Sequence, residues 1–323
     1  MPVPAYQRDA YAEAMGRAVD AAIKASDHGV EGATRIVTRA YEDLAHQIAQ
    51  TPPSLWTKQG LSRIQAALVE TVSQMGDDLA GLVGEGLATA VRGADAAVLG
   101  SLGPEGVGVV DYRVLAKWPT IPPQLINVAA SFAADLVTEV EKETRDEIAG
   151  FVRNSIFTGR SQIATMQQVV GALEGGAGTP LQFGNLLNRA EVIYRTESLR
   201  VFSLATEVRG AQLAEAFPGT SKWWDSTGDS RTRDTHLECE ERTKAEPIPF
   251  EALFKVGKVR LRFPRDPGGE GDERELAAET IQCRCGCRFV LPTDSAAATA
   301  PDLYRDVSSS LTDDLVELRG VVL

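Results

Sequence analysis

Every cysteine of this chain lies in its last third. Cys239, Cys283, Cys285 and Cys287 are the only four among 323 residues, and three of them alternate through IQCRCGCRFV. One of just three histidines, His236, stands three residues before Cys239, while His28 and His46 are distant. The pattern is H-x2-C, a gap of about 43 residues, then C-x-C-x-C. If a short helix capped by Asp229 or Ser230 runs to residue 242, His236 and Cys239 share one face of it. If IQCRCGCRFVL is a strand, its alternate positions present Cys283, Cys285 and Cys287 to one side. One imidazole and three thiolates suit a tetrahedral zinc ion, and a closed four-ligand set is structural rather than catalytic. The expected metal ligands are His236, Cys239, Cys283 and Cys285, with Cys287 as a substitute. Two other readings stay open. Cysteines pack well as small buried hydrophobes. A long-range disulfide from Cys239 needs an oxidising medium, and a C-x-C disulfide closes a strained ring.

The rest of the chain reads as helix. Aromatics are 6% of residues and alanine is abundant, which favours helices packed through small side chains. The expected class is α+β: a mostly helical N-terminal two-thirds, then a small α+β module stabilised by zinc. The expected divisions are a helical region 1–120, a helical middle 121–218 with a long helix 181–216, a compact module 219–293, and a tail 294–323. Residues 5–50 read as two helices broken at SDHG and stopped by TPPS. A helix over 58–95 carries the stripe Leu61, Ile64, Leu68, Val72, Met75, Leu79 and Leu82, read as a core face rather than a subunit seam. Residues 99–124 read as a connector, followed by a helix over 123–157 and a shorter one before a glycine-rich stop. In the long helix, Leu186, Ala190, Ile193, Val201, Leu204 and Val208 form a stripe with Glu197 in its middle. A carboxylate there is either partly solvated at a gap in packing or paired with a cation, for which Arg231 or Arg233 is the candidate. Within 219–293, VGKVRLRF and IQCRCGCRFVL read as strands and FPRDPGGEGDER as a loop.

Charge narrows the function classes. A net charge of −12 argues against nucleic-acid binding by bulk electrostatics. The locally basic run Lys255, Lys258, Arg260, Arg262, Arg265 reads first as a solubilised edge strand. The sequence shows no secretory leader and no apolar run long enough to span a bilayer, so synthesis in a reducing cytoplasm is expected.

Several residues together resemble a known family. Trp224, Asp229, Arg231, Arg233 and His236, then Phe254, Gly257, the run FPRDPGG and IQCRC at 281–285, follow one another in the order of the phage Mu F-like head morphogenesis, or minor capsid, family. FTGRS at 157–161 and YRTES at 194–198 match its upstream part, so the resemblance covers about residues 150–292. It implies a structural, non-enzymatic virion protein of tailed phages, made in the host cytoplasm and placed inside the head near the portal. Its implied partners are the portal protein and the major capsid or scaffold protein, with no membrane; packaged double-stranded DNA enters only as the second reading of the basic run Lys255, Lys258, Arg260, Arg262, Arg265. Cys239 and Cys287 are not regular positions of the family pattern. The alternative is a metal-dependent hydrolase or nuclease using His236, Asp229, Asp234 and Glu197. HExxH, a serine elbow and a phosphate loop are all lacking from the sequence.

Overall fold

The computed structural model describes residues 5–103, 118, 120–121, 123–173 and 186–292. Most of the expected connector, the expected start of the long helix at 181, and the tail 294–323 lie outside these. The fold is α+β. Helices α1 (Ala5–Gln50), α2 (Leu61–Asp95, running into a π-helical turn Ala96–Gly100), α3 (Pro123–Thr158), α4 (Gln162–Leu173) and α5 (Leu186–Ala216) come first. Then follow β1 (Ser221–Asp225), α6 (Asp234–Ala245), β2 (Ile248–Pro249), β3 (Phe254–Val256), β4 (Val259–Leu261), α7 (Glu273–Thr280) and β5 (Gly286–Val290). Among the described residues no helix is long and apolar enough to cross a membrane.

By its contacts the chain divides into two compact units, each assembled from segments distant in sequence. One draws on Met1–Ser26, Gly86–Phe132 and Thr196–Leu323, the other on Asp27–Glu85 and Ala133–Arg195. The second unit is helical. Ile64, Leu68, Val72, Met75 and Leu79 of α2 are all buried there, as are Val37, Leu44 and Ile48 of α1 and Val137, Val140 and Val152 of α3. The middle of the expected α2 stripe is therefore a core face, while its ends Leu61 and Leu82 are half-buried; each buried side chain contributes about 1.5–3 kcal/mol. Ser73 donates to Glu141 at 2.7 Å, and Gln47 donates to Thr71 at 2.7 Å.

The break expected at SDHG does not occur, and α1 is one helix of 46 residues. The short residues there serve packing instead of turning. Ser26 shares a hydrogen bond with Ser198 at 3.0 Å. A Cβ on Gly29 would fall 2.0 Å from the Tyr194 ring, so only glycine lets that ring approach the helix. Helix α5 also departs from a single apolar stripe. From Tyr194 to Arg209 nearly every residue is buried, polar ones included. A central helix covered all round shows no one-sided pattern.

In the first unit β1 is the middle strand of the antiparallel sheet β2-β1-β5, with Trp224 opposite Cys287 and Trp223 opposite Arg288. The expected single strand VGKVRLRF is a hairpin, β3–β4, turned at Gly257 with φ 54°. The expected loop after it contains α7, whose N-cap Asp272 accepts from the Arg274 amide at 3.0 Å. The sheet packs against α1: the Phe289 amide donates to the Met15 sulfur at 3.4 Å, and Gly286 lies close against Val19. Arg288 binds Asp225 through two nitrogens at 2.8 and 2.9 Å and stacks over Trp223.

Candidate metal centre

His236 lies in the first turn of α6. Its N-cap is Arg233, in extended conformation and without a side-chain cap. The expected cap does not form: Asp229 instead accepts from the Arg231 amide in the preceding turn. Arg233 donates to the Ile281 carbonyl at 2.7 Å, which ties the start of α6 to the turn that delivers the cysteines. That turn leaves α7 through Gln282 at φ 55°, whose amide donates to Thr196 at 3.1 Å. Arg265 is the other described non-glycine residue at positive φ, at 68°. Both flank the same cluster, and each left-handed backbone costs about 1–2 kcal/mol.

Cys283 and Cys285 precede β5 rather than lie in it. Between them Arg284 turns away to Asp229, its Nη2 donating to both carboxylate oxygens at 2.6 and 2.7 Å, which holds that carboxylate down to about 2. The two sulfurs turn inward. His236 Nδ1 lies 3.2 Å from Cys285 Sγ and 3.8 Å from Cys283 Sγ. His236, Cys283 and Cys285 form a group whose ligand atoms all fall within 4.8 Å of one another, and that could hold a metal ion. Tetrahedral zinc, with bonds of about 2.0–2.3 Å, separates such nitrogen and sulfur atoms by about 3.6 Å. The donor set and the two nitrogen–sulfur distances are compatible with a metal ion at this group.

The surroundings favour a thiolate at Cys283. Arg265 is buried, donates to the Cys283 carbonyl at 2.8 Å, and also hydrogen-bonds Ser203. Burial alone pushes the Cys283 thiol up. The hydrogen bond with Cys285 and the Arg265 charge oppose it, and the thiol is held well below its ordinary value. The hydrogen bond with Cys283 and burial push the Cys285 thiol up. Trp224 closes one side, its ring edge-on to His236 at 5.2 Å and to Phe254 at 5.4 Å. His236 Nε2, on the far edge of the ring, meets Glu279 Oε2 at 3.0 Å.

Two expected ligands do not join this group. Cys239 is buried one turn further along α6, in the part that packs on β1. There the Trp224 amide donates to Thr243, which donates to the Cys239 carbonyl. Burial pushes the Cys239 thiol up to about 12. Cys287 lies within β5, opposite Trp224, and burial pushes its thiol up as well. The alternation expected for all three cysteines fails because only Cys287 has strand backbone. Glu197 is buried as expected, but its partner is Arg200 at 3.0 Å, one turn along the same helix, and not Arg231 or Arg233. Among the described residues Arg231 pairs with Asp229, at the surface. Asp234 has no place among the ligand atoms of the cluster.

Sequence reading passed over Glu279, Thr235 and the role of Arg265. Nothing distinguishes Glu279 from the other acids of ELAAET, and Arg265 sat in a run read by its charge. That run is largely neutralised: Lys258 pairs with Glu275 at 2.6 Å, Arg262 with Asp266 at 2.7 Å, and Arg265 is buried.

A nucleophilic cysteine with a base and an orienting acid has much the same layout as Cys285, His236 and Glu279. Here His236 and Cys285 are only 1% and 3% exposed, closed to any bulky substrate. Comparison with family models, with curated proteins and with solved structures finds no match to this chain.

Proposed function

We propose that this chain is a structural head morphogenesis protein of a tailed phage, a minor capsid protein acting near the portal. In this reading zinc holds its C-terminal module rigid. The observation that carries the reading is that the residues behind the family resemblance touch one another. Asp229 holds Arg284, Arg233 holds the Ile281 carbonyl, and His236 meets Cys283 and Cys285. Trp224 and Phe254 stack beside them, and Arg265 of FPRDPGG binds Cys283. Pieces that are weak apart in sequence thus form one joint, which supports treating them as one motif. Zinc would be held by His236, Cys283 and Cys285, and it would supply cross-linking of α6 to the β5 approach, where a small core has little else. The portal and the capsid or scaffold proteins are the partners this reading implies.

Metal-dependent hydrolysis is the second reading, and three protein ligands with a fourth position to fill are the feature that favours it. The burial of all three ligands speaks against it.

The test removes the gene from a phage genome that carries it and complements it with wild-type or Cys283→Ser/Cys285→Ser protein. The proposal expects head yield and infectivity to fall without the protein and to return only with the wild type. Normal heads in its absence would overturn the morphogenesis role. Hydrolysis of a phosphodiester or ester by the purified zinc-loaded chain would favour the second reading.

A further inference from the structure

We propose that Glu279 is the positioning residue of this centre: it holds His236 in the tautomer that turns Nδ1 toward the two sulfurs. The inference rests on the metal reading above and deepens it.

His236 has two ring nitrogens, and in the neutral ring one donates while the other accepts. Nε2 faces Glu279 Oε2 at 3.0 Å, and Nδ1 faces Cys285 and Cys283. A carboxylate only accepts, so Nε2 must carry the proton and Nδ1 is left with its lone pair toward the thiols. That is the orientation a metal needs, and outer carboxylates commonly fix it this way.

Glu279 is itself held in place. Its side chain is 14% exposed, against 2% for His236. The same Oε2 accepts from Thr235 Oγ1 at 2.9 Å. Thr235 precedes His236 on α6, so one helix turn supplies both the ring and the hydroxyl that steadies its partner. Gly257, in the β3–β4 turn, closes over the other oxygen. A Cβ there would lie 2.9 Å from Glu279 Oε1 and 3.1 Å from Thr235. Two other elements, α6 and the β3–β4 turn, thus converge on a carboxylate whose described contacts lead to the imidazole.

Charge is consistent with this. A divalent cation, two thiolates, Glu279 and Arg265 sum to zero, so the outer acid balances the buried guanidinium while Cys283 and Cys285 balance the metal.

The experiment uses the purified full chain loaded with Co2+ and Zn2+, with affinities measured against a competing chelator. Glu279→Gln should weaken both metals about 10- to 100-fold. Glu279→Asp should recover part of the loss, and Thr235→Val should produce a smaller one. Nitrogen-15 spectra of His236 should show a proton on Nε2 in the wild type and a changed signal in Glu279→Gln. Cobalt spectra should report one nitrogen and two sulfurs in the wild type. Should Glu279→Gln not fold, Thr235→Val and the wild-type spectrum still decide. Wild-type protein that binds metal, with Glu279→Gln equal to it in affinity and in the His236 signal, overturns the positioning role and leaves the metal reading standing. Wild-type protein that binds neither metal overturns both.

Discussion

Arg265 Nη1 donates to the Cys283 carbonyl at 2.8 Å and lies 3.8 Å from the Cys283 sulfur. A buried guanidinium keeps its charge, so it needs a negative neighbour, and Cys283 and Cys285 are the groups that favour its charged form. The arginine and the cysteine pair therefore depend on each other whether or not a metal is bound.

Arg265→Met should remove the cation and leave the Cys283 side of the pair unmatched. The expected loss is about 3–5 kcal/mol of stability, as for other broken buried pairs. Arg265→Lys keeps the charge but not the two-ended reach to Cys283 and Ser203, and should cost less. Urea unfolding of both variants checks the order.

The cysteines should fall into two classes. Cys283→Ser and Cys285→Ser should lose bound metal and melt lower. Cys239→Ala and Cys287→Ala should keep the metal and lose only packing, about 1–2 kcal/mol each. Metal content by mass spectrometry beside thermal melts separates the classes, and a strong chelator should lower the wild-type midpoint toward that of the Cys285→Ser protein.

Stability should also fall with rising pH in one window. Burial pushes the Glu207 carboxyl up to about 7, against the attraction of Lys222, whose ammonium lies 3.3 Å away. Asp266 adds to the rise and Arg262 opposes it. A carboxyl raised on folding favours the folded state fully below its ordinary value of 4.5, and that advantage is lost as pH climbs to about 7. The contribution is on the order of 3 kcal/mol. Glu207→Gln should flatten the curve between those limits, as read from urea midpoints at a series of pH values.

Two glycines in helices should respond oppositely. Gly29→Ala pushes a methyl into the Tyr194 ring and should destabilise by about 1–3 kcal/mol despite the better helix propensity. Gly84→Ala meets nothing within 4 Å among the described residues and should stabilise by up to about 1 kcal/mol. Thermal melts of the two single variants check the signs.

The helices and the gathering of ligands were legible in sequence because both are local. The α2 stripe repeats at helical spacing, TPPS cannot continue a helix, and four cysteines with a histidine in one short region are conspicuous. Continuity across SDHG was not legible, because Ser26 and Gly29 look like turn residues until Ser198 and Tyr194 are placed against them. The partner of Glu197 was not legible either, because an i,i+3 arginine such as Arg200 and a distant arginine can satisfy a buried carboxylate equally well until the helix is placed.

By itself the sequence determined which groups could ever meet at this centre: one imidazole and four thiols, with an arginine and acids nearby. Tertiary structure alone decided which of them do. Cys239 shares a helix with His236 and still stays out of the ligand group, while Cys283 and Cys285 reach the ring because Gln282 bends the chain and Arg284 is drawn aside by Asp229. Side-chain spacing along one element follows from its backbone period, but which faces are brought together depends on contacts between residues far apart in the chain, and a local pattern carries no record of those.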